Sequence, residues 1–256
     1  MLVNLAVTAA AVLVLMLLTW GIGVRRRRHD GVDVVWGLGF AMIGVITALL
    51  ADGPAWRRVL ITALVAVWGL RLAWHIHRRN RDKDEDRRYV ELMERASGNP
   101  HLYALYSVYL LQGLLMWVVS LPVQVGQYGD GPWVLAPLGV ALWLVGFAFE
   151  AIGDAQLARF TADSANRGRV MDTGLWRYTR HPNYFGDACV WWGLFVLACH
   201  DWPGLVTVVG PATITYLLTR GSGKPMLEKS IRDRRPGYAD YVERTSGFFP
   251  RPPKKA

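Results

Sequence analysis

The sequence predicts an all-α polytopic membrane protein: a seven-transmembrane-helix bundle with its N-terminus outside and its C-terminus cytoplasmic. Three observations carry this expectation. Of 256 residues, 52% are hydrophobic and 19% charged, yet 29 Lys and Arg against 20 Asp and Glu leave a formal net charge of +9. The apolar residues gather into seven runs, most of them long enough to cross a hydrocarbon layer. The basic residues concentrate on alternate connections between those runs, the pattern that orients membrane proteins. A chain this apolar and this basic must keep the two characters apart in space, which excludes a disordered chain and an ordinary globular enzyme.

The first run, Asn4–Val24, has no basic residue before it and Arg25–Arg28 behind it, a stop-transfer pattern that marks a retained helix and not a signal peptide. Val32–Ala51, Val59–Trp74, Leu102–Pro122, Trp133–Ala151, Tyr184–His200 and Gly204–Thr219 follow. Runs three, six and seven are short, and each also fits a re-entrant or buried segment. Four basic residues lie in Arg25–Arg28, seven between His77 and His101, five between Gly153 and Asn183, and ten from Arg220 onward. These are the connections expected in the cytoplasm, so the polar chemistry is expected on that rim, with the protein in the cell membrane. Arg57 and Arg58 fall on the other side, and Arg71 lies inside run three. Two cysteines, Cys189 and Cys199, exclude a disulfide scaffold or a four-thiolate zinc site.

The densest constellation is Gly174–Asp187. Pro182 suits the first turn of a helix, where its missing N–H is not needed. Helix six therefore starts near His181, with Arg177 and Arg180 just before it. A helix start beside arginines is an anion site for phosphate or carboxylate. Asn183 and Asp187, four residues apart, share one face. Anchoring of lipid headgroups by the arginines is the plainer alternative, and the amide and carboxylate beneath them favour a binding site. Helix five ends with Glu150, Asp154 and Gln156. Glu150 lies at membrane depth, where an ionisable group is functional or paired, and an ion pair with Arg71 is one expectation.

Between helices three and four, His75 and His77 are spaced by two and point apart on a helix, with no third ligand, so no metal site is expected. Asn80 and the mixed charges up to Tyr89 read as a solvated segment. Tyr103, Tyr106, Tyr109 and Gln112 form a polar-aromatic stripe on helix four, either packed between helices or walling a lipid-like substrate. The tail, with Lys224–Glu228, Tyr238 and Tyr241, reads as short amphipathic helices that either dock on lipid or close over a cytoplasmic site. No Gly-x-Gly-x-x-Gly after a strand, Gly-x-Ser-x-Gly or Walker loop is present. No nucleic-acid partner is expected.

Gly174–Gly193, centred on Arg180-His-Pro-Asn-Tyr-Phe-Gly-Asp187, resembles the steroid 5-alpha-reductase-like family, most closely its poorly characterised bacterial branch. The resemblance extends through Glu150, Asp154 and Gln156 and on to Leu227, Glu228 and Tyr238–Pro250, with looser matches at Arg71 and Asn80–Tyr89. It implies an NADPH-dependent membrane reductase that transfers hydride to an activated C=C of a hydrophobic, steroid-like or other lipid substrate entering from the bilayer. On that reading residues 1–256 form one membrane domain, with helices 1–4 (1–122) on the substrate side and helices 5–7 with the tail (133–256) on the cofactor side. Asp154, Asn183 and Asp187 then meet the nicotinamide and ribose end, and Arg71, Arg177, Arg180 and tail residues the phosphates. Asn80, Glu150, Gln156, His181, Tyr184, Glu228, Tyr238 and Tyr241 complete the cofactor set. A donor on the substrate carbonyl would stabilise the developing enolate.

One departure matters. Steroid-reducing members present a helix-two Glu and a helix-three Tyr, and neither run here has one, so Tyr106, Tyr109 and Tyr178 stand as proton-donor candidates. Membrane methyltransferases of isoprenylcysteine and phospholipids also carry Arg-His-Pro-x-Tyr-x-Gly. An S-adenosylmethionine-dependent methyltransferase and a non-catalytic lipid-binding protein are therefore the alternatives.

Overall fold

The computed structural model describes every residue except Asp82, Ser222, 225–227, 229–230, 232–234 and 255–256. Residues 225–227 of the tail motif, Leu227 among them, thus lie outside the described residues. Among the described residues the chain is helical without a strand. In chain order the helices are α1 (Leu2–Arg26), α2 (Val32–Leu50), α3 (Ala55–Asn80), α4 (Arg87–Glu94), α5 (Pro100–Val119) and α6 (Leu121–Val125). Then come α7 (Ala136–Ala162), α8 (Pro182–Ala198), α9 (Trp202–Val206), α10 (Val209–Thr219) and α11 (Tyr238–Arg244).

Five of these, α1, α2, α3, α5 and α7, are long and apolar enough to cross a membrane. Their outer faces carry Leu2, Leu18, Leu49, Val59, Leu114 and Leu138 in the open. Exposed apolar surface on that scale requires lipid to cover it, as a multi-pass membrane protein provides.

Two apolar runs give helices shorter than the about 20 residues of an ordinary crossing. Run six becomes α8, of 17 residues. Run seven is interrupted at Thr207–Val208, leaving α9 and an α10 of 11 residues. Pro203 and Pro211 each fall in a first helical turn, where proline starts a helix and does not continue one. Two other helices overrun their runs. α3 continues to Asn80 with His77, Arg78 and Arg79 in its last turn, where positive charge favours the helix C-terminus. α7 continues to Ala162, so Glu150, Asp154 and Gln156 all stand on helix and Gly153 is internal to it. The connection expected to begin at Gly153 begins at Asp163 instead.

The chain divides into two compact units, Met1–Trp133 with Leu197–Gly210, and Val134–Val196 with Pro211–Ala256. In the first, α2 crosses α3 at Gly37 and Gly69, where a Cβ on either residue would overlap the other's carbonyl oxygen. Phe40, Ile43, Met16, Trp68 and Met116 fill the core around that crossing. Arg57 is buried with its two terminal nitrogens met inside the protein. It donates to Gly129 O at 3.0 Å and Gly131 O at 2.7 Å, and lies over the Trp133 ring at 5.0 Å.

The second unit is built on a glycine seam. Gly139, Gly146 and Gly153 recur every seven residues on α7, and Gly193, Gly186 and Pro182 of α8 meet them in reverse order. A Cβ on Gly146 would lie 2.5 Å from Gly186 O, and one on Gly186 would lie 2.5 Å from Glu150 N. The two helices therefore run antiparallel at backbone contact. Such packing is available where small residues let main chains approach.

Gly146→Leu and Gly186→Leu are expected to lower stability by about 1–3 kcal/mol through overpacking. Gly21→Ala, whose added methyl meets nothing within 4 Å, is expected not to destabilise. Thermal unfolding in detergent checks all three, and equal loss from Gly21→Ala would contradict the seam.

Candidate functional site

The antiparallel seam sets the start of α8 against the end of α7, and most of the polar residues singled out in the sequence gather there. Asn183 Nδ2 donates to Asp154 Oδ1 at 3.2 Å. Asp154 and Glu150 are buried, while Asn183, Tyr184 and Asp187 are half-buried. Gln156 points to the loop before α8, where its Oε1 accepts the Leu175 N–H at 3.0 Å beside Gly174. Gly174 has φ +61°, a left-handed backbone that favours glycine. Trp176 Nε1 donates to Gly153 O at 3.0 Å, so the short 3-10 turn Gly174–Arg177 is tied to α7 at two points.

The tail is bound to this loop. Arg180 N donates to Ser246 O at 2.8 Å, Thr179 Oγ1 to Phe248 O at 2.8 Å, and Arg251 N to Tyr178 O at 2.9 Å. Tyr241 donates its hydroxyl to Trp176 O. Tyr238 and Tyr241 are both buried on α11, so these two residues anchor the tail. Burial raises the Tyr241 hydroxyl pKa above its ordinary value.

Glu228 joins the loop to the tail. Its Oε1 accepts from Arg180 Nε and from His181 Nε2, each at 2.9 Å. Burial alone would raise its pKa, but the hydrogen bonds from His181 and Arg180 outweigh it and hold the carboxyl down at about 2. Burial lowers the His181 pKa against the pull of Glu228, with Arg180 and Lys224 adding to the lowering. The pair is therefore a neutral imidazole donating Nε2–H to a carboxylate. His181 Nδ1 is then an acceptor, buried and without a hydrogen-bond partner among the described residues. The ring lies parallel to Tyr184, with centroids 5.1 Å apart.

Arg180 Nη1 donates to Val242 O and Thr245 O. Its Nη2 edge turns instead toward Gly247, together with Lys224 Nζ. A Cβ on Gly247 would lie 3.1 Å from Arg180 Nη2 and would overlap Lys224 Nζ. Two cations thus border a space that only glycine leaves open. Lys224 was visible in the sequence as part of the tail, but nothing local marked it as a partner of Arg180. Arg177 and Tyr178 are exposed at the rim of the same loop.

The remaining predicted residues belong to the first unit. Arg71 and Asn80 are on α3, and the Asn80 side chain accepts from Arg79 Nε at 3.1 Å. Tyr106 on α5 is 59% exposed, on an outer face. Tyr109 is fully buried, with its hydroxyl 2.9 Å from His29 Nδ1. Of the three tyrosines named as proton donors, Tyr109 alone is both buried and joined to another titratable side chain.

A 280-residue alignment with an uncharacterized protein of Schizosaccharomyces pombe shows 24% identity over 91% of this chain and 75% of the relative. A second match, 34% identical over 91 residues, is to 3-oxo-5-alpha-steroid 4-dehydrogenase 1 of Rattus norvegicus, and it covers 34% of each chain. No solved structure matches the chain. Residues 19–245 match the family described as "Protein of unknown function (DUF1295)". The chain belongs to that family, which is part of the steroid 5-alpha-reductase-like superfamily.

Proposed function

We propose that the chain is an NADPH-dependent membrane reductase that reduces an activated C=C of a hydrophobic, lipid-like substrate. The observation that carries this reading is the juxtaposition, within one unit, of the Asp154–Asn183 pair and the two-cation space at Gly247. A carboxylate–amide pair recognises the hydroxyl and amide groups of a nucleoside, and two convergent cations recognise a phosphate oxyanion. The partial similarity to a steroid dehydrogenase supports the reductase class. Seven crossings, with the N-terminus outside and this site at the cytoplasmic rim of the cell membrane, complete the reading.

Asp154, Asn183 and Asp187 are assigned to the nicotinamide and ribose end. Arg177, Arg180 and Lys224 are assigned to the phosphates. His181 Nδ1 is an acceptor of the kind a carboxamide N–H satisfies. When bound, the nicotinamide supplies hydride. Gln156, Trp176 and Glu228 hold the loop and tail around that group, and the buried seam excludes water from one side. Without the helix-two Glu and helix-three Tyr of steroid-reducing relatives, a steroid is not assigned as the substrate.

Native-state binding at a hundredfold excess over Kd adds about 2.7 kcal/mol of stability. NADPH is expected to raise the unfolding temperature of the detergent-purified protein. Asn183→Ala and Asp187→Ala are expected to lose that response while remaining folded. Stabilisation by S-adenosylmethionine but not by NADPH would overturn the reading in favour of a methyltransferase. Gly247→Val, which fills the space between Arg180 and Lys224, is expected to weaken NADPH binding about tenfold, a cost of about 1.4 kcal/mol, with the ligand-free unfolding temperature unchanged. Titration with NADPH checks it.

Glu228 contributes a pH dependence of definite sign. Its folded pKa of about 2 lies below the ordinary 4.5. Its contribution is therefore complete above pH 4.5 and is lost as pH falls toward 2. Glu228→Gln is expected to be less stable than the wild type at neutral pH, with a smaller loss between those limits. Parallel slopes of unfolding temperature against pH in the two proteins would contradict the link that Glu228 makes to Arg180 and His181.

A further inference from the structure

Three features of the first unit converge on a spot that the dinucleotide site leaves unused. An apolar groove of about 310 Å³ runs between α1 and α5, lined by Val12, Met16, Gly113, Leu114 and Trp117, with Tyr109 as its terminal residue on α5. The Tyr109 hydroxyl lies 2.9 Å from His29 Nδ1, and His29 Nε2 lies 3.2 Å from His101 Nδ1. Tyr109 and His29 are 1% and 3% exposed, whereas His101, in the first turn of α5, is only half-buried. An unbroken line of exchangeable protons thus joins an apolar groove to the rim.

The backbone is shaped around the same spot. Leu105–Leu110 is a π-helical turn within α5. Such turns concentrate at functional sites, where they shift a side chain out of ordinary helical register. Across from it, α1 has Gly23, where a Cβ would lie 2.5 Å from the Tyr109 hydroxyl and 2.9 Å from His29 Nδ1. Asn99 caps α5 by accepting from His101 N at 2.9 Å, and Trp20 Nε1 donates to His101 O at 2.8 Å, so the backbone of the outer histidine is fixed as well.

We propose that Tyr109, His29 and His101 form a proton wire between the aqueous rim and the inner end of the α1–α5 groove, serving a carbonyl-bearing apolar ligand held there. The inference rests on the reductase reading. The reaction of that reading takes up one proton for each hydride, and the wire is assigned that proton alone. The Tyr109 O–H bond breaks as a C–H bond forms at the second carbon. Tyr109 oxygen then regains a proton from His29 Nδ1–H, His29 Nε2 takes one from His101 Nδ1–H, and His101 takes one at its other nitrogen from water, leaving hydroxide at the rim. His29 presents one ring nitrogen to each neighbour, so either polarity of the chain is available through tautomer exchange.

The groups facing His29 are Tyr109 and His101 of α5 and Glu85 of the segment before α4, whose carboxylate accepts the His29 backbone N–H. Neighbouring Arg28 is held by Asp30 at 2.8 Å. Burial lowers the His29 pKa and His101 adds to the lowering, against Glu85. His29 is therefore uncharged at rest, as its apolar setting requires.

Two measurements on the full chain in detergent test the proposal. With isotope-labelled imidazole nitrogens, Tyr109→Phe is expected to shift the resonances and pH titrations of both His29 and His101. An unmoved His101 would overturn the wire. With a long-chain methyl ketone carrying an isotope-labelled carbonyl, the bound wild type is expected to show a lowered carbonyl stretch. Tyr109→Phe is expected to bind the ketone without that lowering, and Leu114→Trp to lose binding by filling the groove. An unchanged stretch in Tyr109→Phe, or unchanged binding in Leu114→Trp, would overturn the destination of the wire. Should Tyr109→Phe fail to fold, Gly23→Ala displaces the same hydroxyl and carries the same readouts. Neither measurement uses a dinucleotide. Loss of the NADPH response with both signals kept would therefore count against the reductase reading, and the reverse pattern against the wire.

Discussion

The second unit depends on one constraint, the backbone contact between α7 and α8. Three glycines at seven-residue spacing on α7 meet two glycines and a proline on α8. Nothing larger than hydrogen fits at the central pair, so the relative height of the two helices is fixed to within a fraction of a turn. That registry brings Asn183 to Asp154 and the backbone of Glu150 to Gly186. It also leaves Gly153 O free to receive Trp176 Nε1, which pulls the loop before α8 back onto α7. In an apolar environment this seam gains little from the hydrophobic effect, since lipid tails are as apolar as the side chains they replace. Close van der Waals packing supplies the association instead.

From that registry the polar residues acquire their surroundings in order. The loop held by Gln156 and Trp176 positions Arg180 and His181 just ahead of Pro182. Those two fix Glu228, and Arg180 reaches the carbonyls of the tail. Charge is thereby neutralised in a half-buried place where an isolated carboxylate would be costly. One guanidinium serves both as a strut, through Nε and Nη1, and as a border of the space at Gly247, through Nη2. Arginine can do this and lysine cannot, because the planar fork directs its N–H groups outward along different edges.

Much of this was legible in the sequence, and the limits of legibility are physical. Pro182 announced the start of α8 because proline acts through its own backbone. The long apolar runs announced α1, α2, α5 and α7 because crossing lipid demands a local length. The end of α7 was not legible, since hydropathy falls at Glu150 while the helix continues to Ala162, supported by packing that hydropathy does not register. The glycine repeat was present in the letters, at 139, 146 and 153, but its meaning required the partner glycines on another helix. The same holds for the space at Gly247, which joins residues from a loop and two parts of the tail. His29 lies in a short turn between two apolar runs and His101 at the head of a third. Only folding makes them neighbours.

The two polar sets also differ in kind, and the difference follows from what each surrounds. In the second unit, full charges are paired at the end of a helix seam, and Arg180 and Lys224 border the space at Gly247. In the first unit, the line from groove to rim is made of a phenol and two imidazoles. A carboxylate in the place of His29 would deliver protons equally well in water. Beside an apolar groove, however, it would carry the full desolvation cost of an ion or stay protonated and cease to exchange. An imidazole avoids both outcomes, because it can accept a proton at one nitrogen as it releases one from the other, and it bears charge only in transit. The residue types along this line are thus those that an apolar setting permits for moving protons. The Gly23 and π-turn geometry brings their nitrogens and hydroxyl into hydrogen-bonding distance.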